Sequence, residues 1–89
     1  MSVRDLVAVL NEIERNDDVR SVDASMDHPA VVRARSLADD LLISASGDCA
    51  WDAISSVRRC GFPVFPVERD RFGWVIGGIG TRKGVVAFG

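Results

Sequence analysis

The 89-residue chain has a single histidine, a single lysine, two cysteines and no uninterrupted apolar run longer than the five residues of 6–10. A helix that crosses a bilayer needs about 18 apolar residues in a row, so no segment reads as a membrane span. The opening residues Met1, Ser2, Val3, Arg4 and Asp5 lack the pattern of a secretion signal. The expectation is a soluble, cytoplasmic protein with no membrane partner. One histidine and two well-separated cysteines provide no paired zinc-ligand spacing. Asp17-Asp18 and Asp39-Asp40 are not embedded in the Asp-x-Asp-x-Asp loop of a calcium site. No metal and no cofactor is assigned. With 47% apolar and 27% charged residues, the composition is that of one small globular domain spanning 1–89. Such a chain can bury one thin core and not two, which excludes a two-domain enzyme.

What is present is unevenly spread. Residues 1–48 carry five basic and ten acidic side chains, a balance of −5, whereas residues 49–89 carry six basic and three acidic, a balance of +3. Every Phe and Trp falls in the second part, and all eight glycines lie from Gly47 onward. The net charge of −2 argues against a general nucleic-acid binder, because phosphate neutralisation needs clustered cations. Ten of the eleven cations are Arg, whose planar fork sheds water more easily than an ammonium and suits interfaces.

Helical periodicity appears twice. Val3, Leu6, Val7, Leu10 and Ile13 predict a helix over 2–16, with Ser2 to cap it. Ala50, Ala53, Ile54 and Val57 predict a second over 48–60, capped by Asp48 and stopped by Gly61. Short β-prone runs at 19–25, 31–36, 41–46, 64–68, 72–79 and 85–88 read as strands separated by turns. Segment 29–40 is ambiguous. Pro29 can open a helix, but Asp39 and Asp40 would then sit at the negative end of its dipole, and Val31-Val32 suits a strand. The hairpin is the preferred reading and a third helix the alternative.

The expected fold is therefore α+β in two layers: two helices on one face of an antiparallel sheet of about six short strands, in the order α-β-β-β-α-β-β-β. Val31-Val32 and Leu41-Leu42 are spaced like Val75-Ile76 and Val85-Val86, which suggests a tandem αβββ pseudo-repeat, 1–46 and 47–89.

Candidate chemistry is sparse. Cys49 and Cys60, eleven residues apart on one helix, would stand about 16 Å apart, too far for a disulfide. Cys49 opens that helix, where a dipole can activate a thiol. The string Gly47-Asp48-Cys49-Ala50-Trp51 resembles the cysteine turn of papain-like and peptidoglycan-cleaving hydrolases, but those families place the catalytic histidine downstream, and His28 lies upstream. Asp48 would also hinder the thiolate by like charge. A cysteine-dependent enzyme is thus the weakest reading, and His28 in Asp27-His28-Pro29 reads as a turn or cap residue. The glycine-rich run 77–84 leads into a strand rather than a helix, so it is read as a basic-tipped hairpin and not a phosphate loop.

The strongest hint is excess apolar surface. As a strand, 72–79 points Phe72, Trp74 and Ile76 to one face and Val75 and Ile79 to the other. A two-layer domain covers only one of them. Gly77, Gly78 and Gly80 form a smooth strip for a close-approaching backbone, or else permit a bulge. Trp51 lies beside the helix stripe near Arg58, and Trp with Arg is the pair most enriched at binding hot spots, although Arg58 stacking on Trp51 within the fold explains both equally well.

The expected function is that of a non-enzymatic protein-binding module, a regulator, inhibitor or accessory subunit that occupies the surface of a protein partner, either its own twin or a larger complex. Trp51, Trp74, Phe72 and Arg58 would anchor it, with Arg69, Arg71, Arg82 and Lys83 steering toward an acidic surface. Domains of this length with split charge are typical of accessory subunits and of phage-encoded blockers of host machinery, including anti-CRISPR proteins, an association by size and not by motif. Two alternatives stay open. The basic C-terminal hairpin can contact nucleic acid, or the acidic first half, through Asp17, Asp18, Asp39 and Asp40, can imitate phosphates.

Overall fold

The computed structural model describes residues 3–24, 26–43, 48–70 and 73–87, with side chains described over 3–24, 26–41, 51–65 and 76–87. Three helices precede three strands: α1 (Val3–Arg15), α2 (Pro29–Ala38) running on into a π-helical segment (Asp39–Ile43), α3 (Asp48–Arg59), β1 (Val64–Asp70), β2 (Gly73–Thr81) and β3 (Gly84–Ala87). The strands form one antiparallel sheet in the order β1-β2-β3. The fold is α+β, but the expected two helices and six strands give way to three of each among the described residues. The tandem αβββ arrangement goes with them.

Helix α1 forms where its apolar spacing requires it, with Leu6, Val9, Leu10 and Ile13 buried. Segment 29–40, expected as a hairpin, is helical for a local reason. Pro29 occupies the first turn, where its missing N–H is no loss, and the His28 ring accepts the otherwise orphaned amide of Ala30 through Nδ1 at 3.1 Å. Ala30, Val31, Ala34 and Ala38 then fall on one buried face, and small residues there let α2 approach α1 closely. Asp39 and Asp40 do not end the helix. The backbone continues in π form to Ile43, which moves the negative dipole end past both exposed carboxylates.

Residues 19–24 were expected in a strand and instead make turns. Val19 and Val22 are both fully buried, and a spacing of three cannot put two side chains on one face of a strand. They plug the end of the core between α1 and the β2–β3 turn, where the Val22 amide donates to the Lys83 carbonyl at 3.0 Å.

Helix α3 buries Ala53, Ile54 and Val57 and stops as expected at Gly61, whose φ is +94°. The Gly61 amide donates to the Arg58 carbonyl at 3.0 Å and the Phe62 amide to the Val57 carbonyl at 3.4 Å. These two bonds, with Phe62 and Val57 both buried, form a Schellman stop.

Strand register sets the rest. Val64, Ile79 and Val86 lie side by side across the three strands and all are buried. Each contributes about 1.5–3 kcal/mol by leaving water. Their neighbours Phe65, Gly78 and Ala87, and the pair Gly80 and Val85, face the other way. Ile76 shares that outward face by strand alternation yet is only 3% exposed, so the second face of β2 is covered at Ile76 rather than open along its whole length.

Candidate functional site

The residues expected to bind a partner are distributed along the sheet rather than gathered. Arg71 and Phe72 lie outside the described residues. Arg69 and Trp74 are paired across β1 and β2, but their side chains also lie outside what is described. That pair sits five residues along β1 from Val64, about 17 Å at the rise of a strand. Arg82 and Lys83 form the β2–β3 turn beyond the opposite end. The backbone of the Arg69–Trp74 pair and that of the Arg82–Lys83 turn thus stand at opposite ends of the sheet.

Trp51 and Arg58 do come together. Trp51 is 42% exposed on α3, and the Arg58 guanidinium lies 5.9 Å from its ring centroid, within cation–π range. Arg58 Nη2 also donates to the Val64 carbonyl at 2.9 Å. That carbonyl belongs to the sheet edge: the Gly80 amide donates to the Pro63 carbonyl, and alternation turns Val64's own polar groups away from β2. Two residues on, Pro66 has no N–H to offer at the same edge. At the far edge, Arg35 Nε donates to the Ala87 carbonyl at 3.2 Å. Each free edge of the sheet thus has an arginine on one of its acceptors, a protection against pairing with another strand.

Beside the first rungs of the sheet lies an open groove of about 590 Å³. Pro63, Phe65, Gly80 and Val85 supply its apolar lining, and Glu14 and Arg82 are among its polar residues. Phe65 is 46% exposed and Val85 36%. The glycines beneath are already roofed by the chain itself. A Cβ on Gly80 would stand 3.4 Å from the Pro63 ring and 3.5 Å from Phe65 Cε1, and one on Gly78 would stand 2.5 Å from Val85 Cγ1. The glycine strip is thus occupied by Phe65, Pro63 and Val85 rather than left clear for another backbone, and the β1–β2 and β2–β3 registers run across it in step.

The basic turn is partly engaged within the fold. Arg82 is exposed, and its amide donates to Glu14 Oε2 at 2.8 Å, which places a carboxylate at the turn. The Lys83 ammonium donates to the Asn16 carbonyl. Of the two cysteines, Cys60 is an exposed free thiol just past α3, whereas Cys49 lies in the first turn of α3 with its side chain outside the described residues. Among the described residues no group of three or more His, Cys, Asp or Glu is placed to hold a metal, and no helix is long and apolar enough to cross a membrane.

Phe65 and Val85 were not singled out from sequence. Each neighbours a core valine, and what makes them surface residues is register, which sets them beside Gly78 and Gly80. Compared with family models, with curated proteins and with solved structures, the chain has no significant match in any of the three.

Proposed function

We propose that the chain is a non-enzymatic protein-binding module, a regulator, inhibitor or accessory subunit that covers part of a partner's surface with the outer face of its sheet. The observation that carries this reading is the Phe65–Val85 groove: two large apolar side chains, partly exposed, side by side over a glycine floor. Trp51 is a second exposed aromatic, and the Arg58 over its ring is bonded to the carbonyl one residue before Phe65. Aromatic anchors beside arginine are the usual composition of a binding hot spot.

The capped edges favour one mode over another. A partner that added a strand would have to displace Arg58 or Arg35 from its carbonyl, whereas one that docks on the face meets Phe65 and Val85 directly. In this reading Phe65 and Val85 anchor, Trp51 and Arg58 flank, and Arg82 steers an acidic partner. Lys83 keeps its charge beside Arg82 while one of its donors is taken by the Asn16 carbonyl, so it steers with Arg82. Glu14 beside Arg82 weighs against phosphate as the target.

The test is affinity capture from cell extract with matched serine variants. Phe65→Ser and Trp51→Ser should each reduce the recovered partner about tenfold or more, as hot-spot truncations do. Val32→Ser removes an apolar residue that is equally exposed, at 51%, on α2, and should leave recovery unchanged. Equal recovery with all three variants overturns the reading.

A further inference from the structure

We infer that the partner for the Phe65–Val85 face is a second copy of this chain, docked face to face about a two-fold axis; this rests on that face being a docking surface. The edges disfavour the other way for two sheets to join. On the β1 side the Val64 carbonyl accepts from Arg58 at 2.9 Å, and on the β3 side the Ala87 carbonyl accepts from Arg35 at 3.2 Å. Two copies that met edge to edge would have to release these arginines. On the outer face, Phe65 and Val85 are 46% and 36% exposed and stand over Gly78 and Gly80, so two such faces can approach closely.

The charges on the groove select the occupant. Glu14 on α1 and Arg82 in the β2–β3 turn both line it, and they are neighbours, since Glu14 Oε2 accepts the Arg82 amide at 2.8 Å. That bond uses the backbone of Arg82 and leaves its guanidinium on the exposed turn. Among the described residues neither side chain is in an ion pair. A partner surface of one sign meets a like charge at this point. A second copy does not. A two-fold axis beside Val85 brings the two apolar faces together and turns each Arg82 toward the other copy's Glu14, so that both opposite-charge contacts form at once. Self-complementarity of this kind is what a two-fold contact requires. The acidic group toward which Arg82 and Lys83 steer is then the other copy's Glu14, with Asp17 and Asp18 exposed just after α1.

The experiment is sedimentation equilibrium of the whole chain at low salt, from about 5 μM to about 1 mM, the range in which modest contacts assemble. The average mass should rise from that of one chain toward that of two and stop there, because a two-fold contact closes on itself. Phe65→Ser should weaken the association about tenfold or more. Glu14→Arg and Arg82→Glu should each weaken it about tenfold by setting like charges together. An equimolar mixture of those two variants should recover most of the native association, because in the mixed pair both contacts join opposite charges, and mixing cannot rescue a lost fold. A chain that stays monomeric to about 1 mM overturns the inference; if Phe65→Ser still lowers recovery from extract, the face keeps its docking role with a different partner. A dimer that Phe65→Ser or the charge variants leave intact, a mixture that recovers nothing, or growth beyond two copies overturns it equally.

Discussion

The Arg58 guanidinium stands over the Trp51 ring, 5.9 Å from its centroid, while its Nη2 donates to the Val64 carbonyl at the edge of the sheet. One side chain thereby fixes an exposed indole, closes a strand edge and fastens the end of α3 to β1. Arg58→Ala is expected to destabilise the protein by about 1 kcal/mol. Lysine keeps the charge but not the planar fork, so Arg58→Lys should recover only part of the loss. Denaturant unfolding of both variants and of Trp51→Ala, combined as a double-mutant cycle, should give a coupling of about 0.5–1 kcal/mol between Arg58 and Trp51. A coupling of zero would mean that the two merely lie near each other.

Gly78 and Gly80 face the same side of β2 but differ in what lies above them. A Cβ on Gly78 would come within 2.5 Å of Val85 Cγ1 and 2.9 Å of the Val86 carbonyl oxygen, whereas one on Gly80 meets nothing closer than 3.4 Å. Gly78→Ala should cost about 1–3 kcal/mol, the usual penalty of overpacking, and Val85→Ala in the same chain should relieve part of it. Gly80→Ala should stay within about 0.5 kcal/mol of the native protein. Unfolding midpoints of the three variants decide the point.

The helical state of segment 29–40 has its own test. Ala34 is 1% exposed on the face that α2 turns toward the core. Ala34→Leu should therefore lower stability by about 1–3 kcal/mol through overpacking. Val32→Ala, at a site 51% exposed on the opposite face, should be neutral or slightly stabilising, because alanine is the better helix former. A hairpin would give the reverse preference at Val32, since β-branched residues favour strands.

The parts of the fold that are legible in the sequence are those set by local periodicity and punctuation. The α1 stripe from Leu6 to Ile13, the α3 stripe ending at Gly61 and the three C-terminal strands follow from spacing alone. Segment 29–40 misleads because Asp39-Asp40 argues for a helix end that the π segment postpones, and because the His28 cap is a side-chain contact that no pattern announces. Val19 and Val22 read as a strand when judged by β-propensity, and only their joint burial at a spacing of three shows the turn. At the candidate site, the seven-residue interval between Trp51 and Arg58 was visible, whereas the Phe65–Val85 groove exists only once β1, β2 and β3 are aligned. The expected anchors Phe72 and Trp74 fall where side chains are not described, so the case for partner binding now stands on Phe65, Val85 and Trp51.

The most direct measurement of that case is photo-crosslinking in cells with a benzophenone side chain placed at position 65 or at position 32. Both sites are open to solvent, at 46% and 51%, and both tolerate a large group outside the core. If the sheet face is the docking surface, position 65 should yield a discrete protein adduct, suppressed when Trp51→Ser is added, and position 32 should yield none. Adducts of the same kind from both positions, or from position 32 alone, would contradict it.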